Sequence, residues 1–135
     1  MPGFTPNEAE TLIGQIIHQR IHVDRDPGLE LGLFTNTTLD ETITEATISE
    51  PTGGGYARKI LTDANWGVVN SVSSYLQQTF TAGAGGYSLP VYGYFISTIS
   101  ATGTKRILYA EIDPNGPYVM SENDTYKVTP ISTTL

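Results

Sequence analysis

The chain has 135 residues, 14 acidic against 7 basic side chains for a net charge of −7, and 39% hydrophobic residues. That length fits one domain with a core burying about two-thirds of the unfolded surface, and the composition is too apolar for a disordered chain and too polar for a membrane protein. The acidic balance argues against a nucleic-acid partner, whose phosphates it would repel, and the absence of cysteine removes disulfides, thiolate zinc sites and thiol nucleophiles together.

Thr5, Pro6, Asn7 and Glu8 form a T-x-x-E capping signature with proline at the first helical position. Ala9, Leu12, Ile13, Ile16, Ile17 and Ile21 follow at helical spacing, which predicts a helix from Pro6 to about Gln19. A helix of this length is marginal alone in water, so its apolar stripe must dock on the protein's own sheet or on a partner. The narrow stripe of Leu12, Ile13, Ile16 and Ile17, with Glu8, Glu10, Gln15 and Gln19 around it, has the geometry of helix-in-groove recognition. Residues 1–26 are therefore expected to form a helical arm for partner binding, set off by the turn Asp26-Pro27-Gly28 from a β-domain over 27–135. His18 and His22 have a spacing that could serve a metal, but no glutamate follows His18 as a zincin motif requires, and no metal or other cofactor is expected. No basic region followed by an apolar run opens the chain, so no signal peptide is expected, and no stretch reaches membrane-spanning length.

From Leu29 onward the period changes to two. Leu29, Leu31 and Leu33 alternate with Glu30, Gly32 and Phe34 and read as a strand. Gly55–Thr62 reads as a second strand, Val68–Phe80 as one bent strand or two with Val72, Tyr75 and Leu76 buried, and Leu89–Ser100 as the strongest. In the last, Val91, Gly93, Phe95 and Ile99 fall on one side and Tyr92, Tyr94 and Ile96 on the other; two apolar faces predict a central strand. Lys105–Ile112 follows a glycine-containing turn, Asp113–Pro117 is a turn, and Tyr126–Thr133 is a last strand whose Pro130 implies an edge or a bulge. The fold class is thus mainly β: an antiparallel β-sandwich or jelly-roll-like domain with one N-terminal α-helix.

Chemistry-bearing motifs are few. Gly53-Gly54-Gly55 and Gly83–Gly86 lack the Lys-Ser/Thr of a phosphate loop and read as turns, and no nucleophile motif is present, so no enzyme activity is expected. The eight tyrosines could form a sugar-stacking platform, although strand positions suit core or interface packing better. Tyr92, Tyr94 and Trp66 are the aromatic candidates for core or oligomer contacts, with Trp66 expected to be largely buried. Arg58 is expected to pair with a carboxylate, since acids outnumber bases two to one.

Two stretches carry a resemblance. Leu31-Gly-Leu-Phe-Thr-Asn36, Thr44-Glu45-Ala46, Gly55-Tyr-Ala-Arg58, Leu61 and Trp66 form the first. Val91-Tyr-Gly-Tyr94, Ile107-Leu-Tyr-Ala-Glu111, a Pro-Gly turn, Asp124-Thr-Tyr-Lys-Val128 and Pro130 form the second. Together they resemble a group of small virion structural proteins of tailed bacteriophages, except that Asn123 stands where the group usually has glycine. The resemblance implies a non-enzymatic β-domain on the capsid surface of a virion. Its implied role is a capsid decoration (cement) protein that binds the major capsid protein and itself as a homotrimer, the usual arrangement for that class. A head-fibre, tail-fibre or adaptor component, and a carbohydrate-binding module, are the competing expectations.

Overall fold

The computed structural model describes residues 3–14, 28–70, 72–99 and 104–133. In chain order its elements are α1 (Asn7–Gly14), β1 (Leu29–Phe34), β2 (Lys59–Leu61), a 3-10 turn (Asp63–Asn65), β3 (Trp66–Val69), β4 (Val72–Tyr75), β5 (Gln78–Thr81), β6 (Gly93–Thr98), β7 (Ile107–Ile112), β8 (Thr125–Val128) and β9 (Ile131–Thr133). Every strand pairing among the described residues is antiparallel. The strands form a main sheet in the order β2-β1-β6-β7, a second sheet β3-β4-β9 and a ribbon β5-β8. The fold is the mainly β, antiparallel, sandwich-like arrangement with one N-terminal helix that the residue pattern predicts.

The main sheet is apolar on both faces because β1 and β6 are. Their register runs from Leu29 opposite Thr98 to Phe34 opposite Gly93, and every residue of β6 is buried. On one face Leu31, Leu33, Tyr94, Ile96 and Tyr109 meet Tyr75, Phe80, Tyr126 and Val128 from the second sheet and the ribbon. On the other, Phe34, Phe95, Ile107 and Ala110 are covered by Ile43, with Phe4, Leu39 and Ile48 around them. A bulge sets this division on β7. Ile96 pairs with Tyr109 but Ser97 with Ile107, so Leu108 has no partner, and Ile107 comes onto the same face as Ala110.

Tyrosine hydroxyls join the layers. The Tyr94 hydroxyl accepts from the Ile131 N–H and donates to the Ile131 carbonyl, each at 3.2 Å, tying β6 to β9. The Tyr75 hydroxyl accepts from the Thr62 N–H at 2.9 Å, and the Tyr126 hydroxyl donates to Asp113 Oδ2 at 2.9 Å.

Several expectations change. The strand expected from Leu89 begins at Gly93; Val91 instead bridges Tyr118 and lies in the opposite core from Phe95, because alternation breaks at Tyr92 and Gly93. The Val68–Phe80 region makes three strands, since Asn70 at φ 51° turns the chain back after Val69. Tyr75 is buried there as expected, whereas Val72 and Leu76 are exposed. The last strand splits at Pro130, whose carbonyl accepts from the Tyr75 N–H. Both faces of β6 are covered within the chain, so Tyr94, buried, and Tyr92, half-buried in the second core, need no neighbouring copy.

The arm expectation is overturned at the positions described. Leu12 is 1% exposed and Ala9 is fully buried, because their shared face of α1 lies against β7. Phe4 exchanges backbone hydrogen bonds with Ala110 on the outer edge of β7, and the Asn7 N–H donates to the Glu41 carbonyl. Glu8 does not close a capping box; its carboxylate accepts from the Ile107 N–H at 2.6 Å. The segment before Gly14 is thus part of the domain rather than separate from it. The side chain of Ile13, and Ile16, Ile17, His18 and His22, lie outside the described residues.

Leu12→Ala should therefore destabilise the isolated protein by about 2–5 kcal/mol, read by urea unfolding; a loss below about 0.5 kcal/mol would restore a detachable arm. A second prediction follows from the tyrosines. Burial pushes the hydroxyls of Tyr56, Tyr87, Tyr94 and Tyr126 above their usual 10 and that of Tyr109 up to about 12. A raised pKa in the folded state means stability that is complete below pH 10 and lost as pH rises through the folded values. The tyrosinate absorbance of these five should appear in a cooperative step together with loss of the β circular-dichroism signal. Their gradual ionisation with that signal intact would contradict the packing.

Candidate functional site

The densest chemistry in the fold lies over the second face of the main sheet. It starts from Gly32 of β1, opposite Phe95 of β6. A Cβ at Gly32 would collide with the Phe95 ring, so only glycine lets that ring lie across β1. The Arg58 guanidinium stacks over the same ring, 4.8 Å from its centroid. Arg58 reaches it from the segment after Gly53, Gly54 and Gly55, all at positive φ, which turn the chain back toward β1.

Around the guanidinium stand three carboxylates. Nε and Nη2 donate to the two oxygens of Glu50 at 3.0 and 2.8 Å, and Nη1 and Nη2 to those of Glu45 at 2.9 Å each. Nη1 also donates to Glu30 Oε1 at 2.8 Å, and Lys105 Nζ meets the same oxygen at 3.0 Å. The Ser97 hydroxyl donates to Glu45, and the Tyr56 hydroxyl donates to Glu50 Oε1 at 2.7 Å while accepting from the Leu33 N–H. These are two bidentate forks with a third carboxylate on the side.

Burial alone would lower the Arg58 pKa, but its bonds to Glu50 and Glu45 outweigh burial and raise it, so the guanidinium stays charged. Burial would likewise raise the Glu45 pKa, yet hydrogen bonds from Arg58 and Ser97 hold it below 4.5. Glu8 next to it goes the other way: burial raises it, the Ile107 N–H and Arg106 oppose, and the Glu45 charge adds to the rise.

Chemically this arrangement clamps rather than reacts. The guanidinium donors all point at carboxylates, and the carboxylates are occupied by Arg58, Lys105, Ser97 and Tyr56. The clamp holds the 35–58 connection on the sheet. Asn36 assists by donating to the Thr47 carbonyl and accepting from the Ser49 N–H, and the Thr35 N–H donates to the Ser49 carbonyl. The expected pairing of Arg58 is found, with three carboxylates rather than one.

The other sequence candidates fall elsewhere. The two glycine-rich loops dock on each other, the Gly83 N–H donating to the Gly54 carbonyl at 2.8 Å. Among the described residues no group of three His, Asp or Glu side chains is arranged to hold a metal. None of the eight tyrosines is exposed: Tyr75, Tyr87, Tyr94, Tyr109 and Tyr126 are buried, and Tyr56, Tyr92 and Tyr118 half-buried. Trp66 is half-buried, edge-on to Tyr75 with centroids 5.2 Å apart, because β3 is the outer strand of its sheet.

That sheet shows a surface the pattern reading missed. Val68 and Val69 are 69% and 71% exposed, with Val72 and Ile131 beside them also exposed. The signal for it is in the composition: from Ala64 to Thr104 the chain has no Asp, Glu, Lys, Arg or His. Comparison with protein-family models, curated proteins and solved structures finds no match.

Arg58→Met should cost about 3–5 kcal/mol near neutral pH, because it leaves Glu45 and Glu50 without their cation, beside a Glu30 that keeps only Lys105. The pH dependence gives the sign. In the wild type the lowered Glu45 contributes stability above 4.5 that is lost as pH falls, whereas in the variant protonation relieves the stranded charges. The gap between the two proteins, measured by urea unfolding at about pH 7 and about pH 4, should narrow on acidification. A gap that is constant or widens would contradict the clamp.

Proposed function

We propose that this chain is a non-enzymatic structural protein of a tailed-bacteriophage particle, a capsid decoration protein bound to the outer surface of the major capsid protein lattice as a homotrimer. The observation that carries the reading is where the phage-like motif residues go. Glu45 of the T-E-A piece and Arg58 of the G-Y-A-R piece meet in a bidentate pair at 2.9 Å. Tyr56 of the second piece hydrogen-bonds Leu33 of L-x-L-F-T-N, and Asn36, at the end of that piece, fastens the 47–49 turn. Residues drawn from three separated pieces serve one architectural lock, which supports a pattern that marks a scaffold.

A scaffold of this kind needs a sealed fold and faces that grip neighbours. The lock provides the first and the exposed β3-β4-β9 sheet is suited to the second. The acidic balance keeps copies apart in solution and leaves association to specific faces.

The test is co-sedimentation of the purified chain with DNA-free shells of the major capsid protein, together with copy counting on purified particles. Saturable binding and hundreds of copies per particle are expected. A few to a few dozen copies would move the chain to a fibre or adaptor, and absence from particles would overturn the reading.

A further inference from the structure

The N-terminal segment closes the outer edge of the main sheet. β7 is the outer strand of that sheet, and an edge strand left open is a template for foreign strands. Here Phe4 exchanges hydrogen bonds with Ala110 at 3.0 and 3.2 Å, and the Glu8 carboxylate takes the Ile107 N–H at 2.6 Å. Glu8 also accepts from the Glu45 N–H. One side chain of α1 therefore fastens the sheet edge and the 35–58 connection at the same point.

That fastening is made with a charge in a crowded place. Glu45 faces Glu8 from the connection, and Arg106 faces it from the residue before β7. Behind Glu45 stand Glu50, Glu30, Arg58 and Lys105. Glu10, the other acid of α1, is exposed. Among the described residues, then, the four carboxylates of Glu8, Glu30, Glu45 and Glu50 meet the three cations Arg58, Lys105 and Arg106, which leaves one negative charge over. Glu30, Glu45 and Glu50 each touch Arg58, whereas Glu8 is held through backbone N–H groups. We propose that residues 3–14 form a pH-sensitive strap on the β7 edge: a proton on Glu8 removes the surplus charge and seats the strap, and loss of that proton eases it away from Ile107 and Glu45. Burial holds the Glu8 carboxyl above its ordinary 4.5 despite the Ile107 N–H, and the Glu45 charge adds to the rise against Arg106. The seated form thus takes up the proton more readily than the loosened one, so seating strengthens as pH falls toward 4.5. Glu45, held below 4.5, keeps its charge over that window, so the clamp stays shut while the strap tightens.

The experiment is amide hydrogen exchange of the full chain, read residue by residue by NMR at about pH 7 and about pH 5 and expressed as protection factors, which remove the intrinsic effect of pH on exchange. The Phe4, Ile107 and Ala110 amides should be protected at least about twofold more at the lower pH, while amides of β6 such as Phe95 stay constant. Glu8→Gln keeps an oxygen for the Ile107 N–H without the charge, and should show the higher protection at both pH values. Glu10→Gln removes an exposed charge from the same helix and should behave as the wild type. Equal protection of the three amides at the two pH values overturns the inference. So does a Glu8→Gln protein that keeps the wild-type pH dependence or loses protection throughout, and so does a rise that the β6 amides share, which would be global stabilisation.

Discussion

A sheet that is apolar on both sides cannot stop at one covering layer, and the rest of this structure follows from that. β1 and β6 place leucine, isoleucine and tyrosine on one face and phenylalanine on the other. The first face is covered by strands. The second is covered by segments with little regular structure: the N-terminal stretch around Phe4 and α1, and the 35–58 connection. Such a cover has few ladder hydrogen bonds to hold it, and the Arg58 cluster supplies the missing fixture. Its stacked arrangement, from Gly32 through the Phe95 ring and the guanidinium to three carboxylates, reaches from the strand backbone to the outermost loop.

Ion pairs of this burial do not guarantee stability, since desolvation offsets much of the Coulomb attraction. Their value here is in geometry. A planar fork satisfied by two bidentate carboxylates accepts one arrangement, and Glu45 and Glu50 belong to the segment that must be placed. Lys105 on Glu30 moderates the excess of negative charge. The distribution of charge along the chain is then informative. Charged residues gather where the irregular cover is fastened, while the strands of the second sheet carry no charge and expose Val68, Val69, Val72 and Ile131.

Much of this was legible in the sequence. The two-residue period of Leu29–Phe34 assigned each residue of β1 to its face, and the two apolar sides of the segment around Tyr94 marked β6 as central. The pairing of Arg58 followed from the excess of acids. The number of its partners did not, because Glu30, Glu45 and Glu50 lie far apart in sequence and come together only through the register of β1 and the path of the connection. Leu12 misled for a related reason. A helical stripe shows that a helix must dock, but the bulge at Leu108 that exposes Ile107 and Ala110 to the same face lies in a distant strand. Val72 and Leu76 were expected inside because periodicity records apolar spacing, but Val72 falls on the opposite face of β4 from the buried Tyr75, and Leu76 follows the strand's end.

Arg58 and Glu45 act as one unit, and a double-mutant cycle measures that directly. Glu45→Gln in the wild-type background removes a partner of the guanidinium and should destabilise the protein. The same change in an Arg58→Met background removes a charge from a crowd of like charges, and should stabilise it. Urea unfolding of the four proteins gives both differences, and the predicted result is this reversal of sign. If Glu45→Gln destabilises both backgrounds equally, the two residues act independently and the cover is held by something else.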